Sequence, residues 1–324
     1  MLHLTDGDCA AQALILGGIA PHDIVPWRDV LHEGPVPAGL PLEQLSDVRA
    51  RFLAESGSGD YEGIRALFYE RDVRLAGSQA EDEVVCWFES DLYDQLQLLQ
   101  LLDWYAEHSH RPIRLSLIQL DLTPEGGFEA LGALAPPRVH ALQAQRQTVT
   151  EAQLGVARLA WAAFRAPSPL QLERLWRAGE LAVLPCLPEA VQRLLEDLPW
   201  VGTGLSRSAY TALECLAPKP MSAGALFRAV QTREHRPFLG DTWFWRVLRS
   251  MEAGPQPLVA REGPVVAERG VDQGLLRLTS LGQALVDGRH TWSGSLERWW
   301  GGTRMTPRGS VWHWDGAHRR VVAG

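Results

Sequence analysis

Short apolar runs and helical periodicity alternate along the first 120 residues. Residues 2–5 read as a short strand, Cys9 to Leu16 as a small apolar helix closed by Gly17-Gly18, and Asp23 to Val25 as a second short strand. Between strand and helix, Thr5 to Asp8 is a turn, with Asp8 placed to cap the helix. Leu45, Val48, Phe52 and Leu53, then Ile64, Leu67, Phe68 and Leu75, keep helical spacing over 42–55 and 61–76. Glu83 to Phe88 carries five consecutive apolar residues, the pattern of a strand buried on both faces. A helix from about 91 to 107 follows, with Ser90 as its N-cap, and Ile113 to Leu120 is a further strand. Strands alternating with helices predict an α/β fold with a Rossmann-like, mostly parallel sheet over 1–137.

The pattern then changes. Residues 138–204 read as a helical linker or bundle, with helices near 140–147, 150–165, 168–178 and 187–197. Over 205–287 the expected order is helix 205–216, helix 222–231, helix 241–251, strands 258–261 and 275–278, and a helix 280–286 capped by Thr279. That order is the order of a winged helix-turn-helix, whose third helix enters a DNA major groove. Arg246 and Arg249 fall on that helix, and Arg261, Arg269 and Arg277 on the wing. Trp243, Phe244 and Trp245 make the helix unusually apolar, which fits a packing module equally well. The tail carries Trp292, Trp299, Trp300, Trp312 and Trp314 and suggests a hairpin turning near Pro307-Arg308-Gly309. Rings interleaved with arginine stack bases or, more often, cover apolar surface.

Ligands of open α/β sheets bind outside the carboxyl ends of the strands. If the strands are parallel neighbours, that edge collects Asp6 and Asp8, then Trp27, Asp29, His32 and Glu33, then Glu89, Asp91, Asp94 and Gln95. Asp29, His32 and Glu33 lie in a proline-stiffened loop, and His32 beside Glu33 could supply a general base with its orienting carboxylate. Carboxylates at one edge could hold a divalent ion such as Mg²⁺. Neither GxGxxG nor GxxxxGK[ST] occurs. Cys9 at a helix start would have a lowered thiol pKa, but no partner is assigned to it.

Charge adds an asymmetry. Residues 1–204 hold 15 basic and 29 acidic side chains, and residues 205–324 hold 16 and 10. Lys219 is the only lysine, so the basic charge is almost all arginine, suited to bidentate phosphate contact or reflecting coding bias. Cys9, Cys86, Cys186 and Cys215 are scattered without metal-ligand spacing, and His108 and His110 make no zinc signature. No apolar run reaches the roughly 18 residues of a membrane span, and the acidic start MLHLTDGD does not read as a signal peptide. The expectation is a cytoplasmic protein with reduced thiols.

The pieces HLTDGD (3–8), VPWRDVLHEGPVP (25–37) and VVCWFESDLYDQLQLLQLLD (84–103) resemble the DUF1835 family of domains of unknown function. Segments 204–206, 278–288, RWWGG and WHWD are similar to the C-terminal portion of its longer members. The resemblance implies a Rossmann-like domain and marks His3, Asp6, Asp8, Trp27, Asp29, His32, Glu33, Trp87, Asp91, Asp94 and Gln95 as motif positions. It implies no activity.

Three functions remain open. One is a hydrolase or transferase acting on a nucleotide or other phosphorylated small molecule, with Asp29, His32, Glu33, Asp91 and Asp94 as its catalytic groups. His3, Asp6, Asp8, Trp27, Trp87 and Gln95 would bind the ligand. The second is a ligand-sensing DNA-binding regulator using Arg246, Arg249 and Arg261. The third is a protein-interaction module whose Trp-rich tail buries against a partner or a second copy.

Overall fold

Pleat alternation and the parallel register organise the N-terminal part. A computed structural model describes residues 1–108, 112, 114–122, 127–263, 274–293, 298–306 and 311–324. The chain forms two compact units, Met1–Gln192 with Arg298–Arg304, and Arg193–Glu297 with Met305–Gly324.

The first unit runs β1 (Leu2–Thr5), α1 (Asp8–Leu16), β2 (Ile24–Pro26), α2 (Leu42–Glu55), α3 (Tyr61–Gly77), β3 (Glu83–Glu89), α4 (Leu92–Glu107), β4 (Arg114–Leu120), α5 (Pro136–Ala144), β5 (Gln147–Thr148), α6 (Glu151–Phe164) and α7 (Leu170–Arg177). Its five-stranded sheet has the order β2-β1-β3-β4-β5. The first four strands are parallel and β5 is antiparallel to β4. The chain leaves β1 toward β2, then returns past β1 to β3 and β4. The direction of winding therefore reverses between β1 and β3.

Alternation along β3 sends Val85 and Trp87 to one face, where they pack with Ala10 and Leu14 of α1 and Val139 and Leu142 of α5. Val84, Cys86 and Phe88 take the other face and are fully buried. α4 packs beside β3 and against α6, and is buried nearly all round. A helix in that position must satisfy its own polar side chains internally. Gln97 Nε2 and Gln100 Oε1 find their partners in the loop after β2.

Two caps differ from expectation. Gly7 occupies the N-cap of α1, so Asp8 is the first helical residue rather than its cap. Asp91, not Ser90, caps α4, accepting from the backbone N–H of Asp94. The turn after the β3 strand is shifted by one residue from the pattern, because β3 extends to Glu89 and α4 starts at Leu92. Thr150 caps α6 with a reciprocal bond from Gln153, a capping box.

The second unit begins within α8 (Leu187–Leu195). It continues through α9 (Arg207–Leu216), β6 (Met221–Ser222), α10 (Ala223–Gln231), α11 (Asp241–Glu252), β7 (Val259–Glu262), β8 (Leu275–Leu278) and α12 (Ser280–Val286). Ser206, Ser222 and Thr279 accept from backbone N–H groups three residues on, capping α9, α10 and α12. The three strands form an antiparallel sheet of order β6-β8-β7. The apolar character of α11 is core packing, since Trp243, Phe244, Leu248 and Met251 are buried. The tail adds two hairpins, β9 (Arg298–Trp300) with β10 (Thr303–Met305), and β11 (Trp312–Asp315) with β12 (Arg320–Ala323). Trp300 is buried against Phe164 at a ring separation of 6.1 Å. Trp314 is buried in the second unit, with its N–H on the Pro199 carbonyl.

Among the described residues, no helix is long and apolar enough to cross a membrane. His110, Ile113, Arg269 and the expected turn at Pro307-Arg308-Gly309 lie outside the described residues, as does most of the segment between β7 and β8.

Candidate functional site at the carboxyl edge of the sheet

The parallel order places the ends of β1, β2 and β3 side by side. Asp6, Trp27 with Arg28, and Glu89 are thereby brought to one edge. The side chains then divide into a loop built on buried arginines and a group of carboxyls that bond backbone N–H groups.

The loop 27–37 is internal. Trp27 is fully buried and its indole N–H donates to Gln100 Oε1 at 2.8 Å. Asp29 is fully buried and accepts from Arg49 Nε at 3.0 Å, with Arg71 at 3.9 Å. Arg49 also donates to the carbonyls of Val30, Glu33 and Pro35. Arg71 donates to the Trp27 carbonyl at 2.6 Å and lies over the Trp27 and Phe68 rings at 4.2 and 3.6 Å. Gln97 donates to the Asp29 carbonyl. Loops normally stay at the surface because their backbone groups need partners. Here Arg49, Arg71 and Gln97 donate to its carbonyls, while Gln100 takes the Trp27 side chain. Asp29 is thus the counter-ion of Arg49, not an edge carboxylate, and Glu33 is paired with Arg298 at 3.1 Å. His32 is buried and meets the Tyr93 ring edge-on at 6.1 Å. Asp29 thus faces Arg49, Glu33 faces Arg298 and His32 faces the Tyr93 ring.

His3 and Trp87 are also core residues. The Trp87 N–H donates to His3 Nδ1 at 3.0 Å, and burial pushes the imidazole down to about 4, so it is neutral near pH 7.

The carboxyls at the ends of β1 and β3 have a different environment. Asp94 accepts from the Glu89 N–H, and Gln95 donates to the Glu89 carbonyl at 2.6 Å. Both residues wrap the first turn of α4 back onto the end of β3. Glu89 Oε1 accepts from the Leu131 N–H at 2.6 Å, and its carboxyl is hydrogen-bonded to Asp91. Asp6, half-buried at the end of β1, accepts from the Thr5 hydroxyl. Among the described residues no cation pairs with these four groups, whereas Asp29 has arginine beside it. Burial pushes Glu89 up to about 8 and Asp91 to about 7, with nearby carboxylates adding to the effect. Asp94 is pushed well above the carboxylate range, and Asp6 is raised, again by burial first. Burial also raises the Tyr93 phenol, which faces Asp6 and Asp94. Glu89 and Asp91, hydrogen-bonded to each other, are thus both held above the ordinary carboxylate range.

No three or more His, Cys, Asp or Glu side chains among the described residues are grouped to hold a metal ion. Cys9 is an exposed thiol in the first turn of α1.

A groove of about 610 Å³ flanks the outer side of β2, between α1 and α3. It contains Asp8 and Arg28 at one end but not Asp6, His32, Glu33 or Asp91, so the expected pocket joining all of these is not this cavity. Arg28 adopts a positive φ of 60° and its guanidinium meets Asp8 Oδ1 at 2.6 and 2.9 Å. The sequence pattern placed Glu89 at this edge without a catalytic role and gave no role to Tyr93 or Arg28. Glu89 carried a legible signal, an acidic residue ending a wholly apolar strand.

In the second unit, Arg246 and Arg249 are exposed on α11, with Arg246 over the Trp243 ring. Arg261 is held by Glu252 at 2.8 Å, and Arg277 by Glu262. Of the basic residues expected on the hairpin, these two already have carboxylate partners.

No family model matches the chain, and no curated protein matches it. The DUF1835 resemblance is therefore not supported: the short motifs that suggested it do not extend into a match along the chain.

Proposed function

We propose that the first unit is a Rossmann-like enzyme, a hydrolase or transferase of phosphorylated small molecules, working by general acid–base catalysis at the Glu89–Asp91 pair. The observation that carries the reading is position. Four carboxyls without a cationic partner among the described residues gather where the winding of the sheet reverses, between β1 and β3. That crevice is where open α/β sheets bind ligands. Burying carboxyls without counter-charge costs stability, and perturbed carboxyls cluster at functional sites for that reason. In this reading Glu89 in its acid form protonates a leaving group, and Asp91 takes the proton from the attacking hydroxyl or water. Asp94 and Gln95 hold the pair by their bonds to the backbone of Glu89, and Asp6 and Tyr93 border the substrate.

The test is a panel of phosphate esters and nucleotides assayed with the intact chain and with Glu89→Gln and Asp91→Asn. The reading expects turnover by the parent that falls at least ~10²-fold in either variant, the usual size of a general acid–base contribution. Equal turnover by the folded variants would refute it.

A second reading concerns the second unit. The order α9, β6, α10, α11, β7, β8, with strand order β6-β8-β7, supports a winged helix, and the exposed Arg246 and Arg249 support nucleic-acid contact through α11. Affinity for duplex DNA should then fall steeply with salt and drop in Arg246→Ala and Arg249→Ala. No binding at low salt would remove this reading.

A further inference from the structure

We propose that Arg28 is the anion-binding residue of a small-molecule subsite, with the phosphoryl group of a phosphomonoester on its guanidinium and the organic body in the groove along β2. The proposal rests on the reading of the carboxyl edge as an enzyme site and supplies its substrate-binding half.

Three observations carry it. First, the groove has the size of a ligand pocket, about 610 Å³. Ala11, Ile15, Ile24, Pro26 and Leu67 give it apolar walls. β2 is the edge strand, and Trp27 directs its N–H to β1, onto the Thr5 carbonyl. The preceding Pro26 therefore faces the groove, where its missing N–H denies another strand a partner. A compact molecule suits this wall better than an added peptide strand.

Second, the groove is an arginine-rich place in an acidic half. Arg28, Arg71 and Arg74 line it against Asp8 and Glu70. Arg71 is committed to the core through Trp27, and Arg74 donates to the His22 carbonyl. Arg28 is bound differently. Its partner Asp8 is 72% exposed, and Arg28 itself 32%. Exposed pairs of this kind hold weakly and exchange readily. A phosphoryl group offers the same fork of acceptor oxygens with more charge.

Third, Arg28 keeps a left-handed backbone, φ 60°, at a position where glycine would be unstrained. Its N–H is pinned to the Asp6 carbonyl at 2.8 Å, so the side chain starts from the switch-point end of the groove, next to Asp6. A phosphoryl group on Arg28 would lie at the end of β2, on the residue whose backbone bonds Asp6.

The experiment is ligand-induced thermal stabilisation of the full chain with inorganic phosphate, phenyl phosphate and phenol. The proposal expects phenyl phosphate to protect more than phosphate, and phenol not to protect. Arg28→Ala should weaken phenyl phosphate binding at least tenfold, and Asp8→Asn should strengthen it several-fold by releasing the guanidinium. Arg28→Gly should melt no lower than the parent without ligand, because strain is relieved, and still lose binding. Protection by phenol equal to that by phenyl phosphate, or unchanged binding in Arg28→Ala, would overturn the proposal. Glu89→Gln should bind as the parent does. Arg28-dependent binding alongside an ordinary titration of Glu89 and Asp91 would fail only the acid–base reading. A perturbed pair without Arg28-dependent binding would fail only this one.

Discussion

Replacing Arg49 by methionine should unfold the loop 27–37 far more readily than any change of an exposed arginine. Arg49 is fully buried, and it bonds one carboxylate and three carbonyls. Methionine keeps most of the apolar stem and removes every donor. Asp29 is then left as a buried charge with Arg71 at 3.9 Å. Breaking a buried pair by removing one partner costs about 3–5 kcal/mol. The carbonyls of Val30, Glu33 and Pro35 lose a donor as well, at roughly 1–3 kcal/mol each if they stay dry. These costs are not additive, because the loop can open and rehydrate, so the expected loss is about 4–6 kcal/mol, near the whole stability of many domains. Urea unfolding followed by tryptophan fluorescence reads the loss directly, since Trp27 sits in the affected cluster. The double variant Asp29→Asn with Arg49→Met should lose less than the two single variants together, the mark of a coupled pair. A loss below about 1 kcal/mol in Arg49→Met would refute the reasoning. So would a stable Asp29→Ala protein lacking only turnover, which would return Asp29 to the catalytic set.

Other outcomes follow from single residues. Glu89 and Asp91 release protons at higher pH when folded than when unfolded, so their contribution to stability is present below about 4 and is lost as pH rises to about 8. Glu89→Gln should therefore gain stability relative to the parent at pH 8 and little at pH 4, read by thermal unfolding across that range. His3 runs the other way: its folded value near 4 against 6.5 means stability falls as pH drops from about 6.5 to about 4, by up to ~3 kcal/mol. A His3→Gln protein should lack that limb of the pH profile. Gly34→Ala should cost at least ~2 kcal/mol, since φ is 76° and the new Cβ would stand 2.4 Å from the Phe52 ring. Chemical denaturation measures it, and a neutral effect would contradict the packing described.

The elements that bury a simple stripe were legible from the chain. β3, with its unbroken apolar run, and α2 and α3, with helical spacing, occur where the periodicity puts them. The convergence of β1, β2 and β3 at one edge also follows from reading them as parallel neighbours. Side-chain roles were less legible, because partners distant in sequence decide them. Asp29 and Asp91 look alike in the sequence. One meets Arg49, twenty residues away, and the other meets Glu89 without a cation. The proline-stiffened loop reads as surface, yet α2, α3 and α4 fill its hydrogen bonds and bury it. The left-handed backbone of Arg28 carries no signal in residue type, since glycine or asparagine normally marks such a turn. Cap positions at Gly7 and Asp91 each differ by one residue from the pattern, the usual limit where Asp, Gly and Ser stand together.

The claim at the centre is that Glu89 and Asp91 form a proton-sharing pair where the sheet reverses its winding. ¹³C NMR of the side-chain carboxyls, assigned with Glu89→Gln and Asp91→Asn, measures it directly. The account predicts two coupled steps at about 7 and 8, each altered when the other residue is replaced. Independent titration of both carboxyls near the ordinary value of about 4 would contradict it.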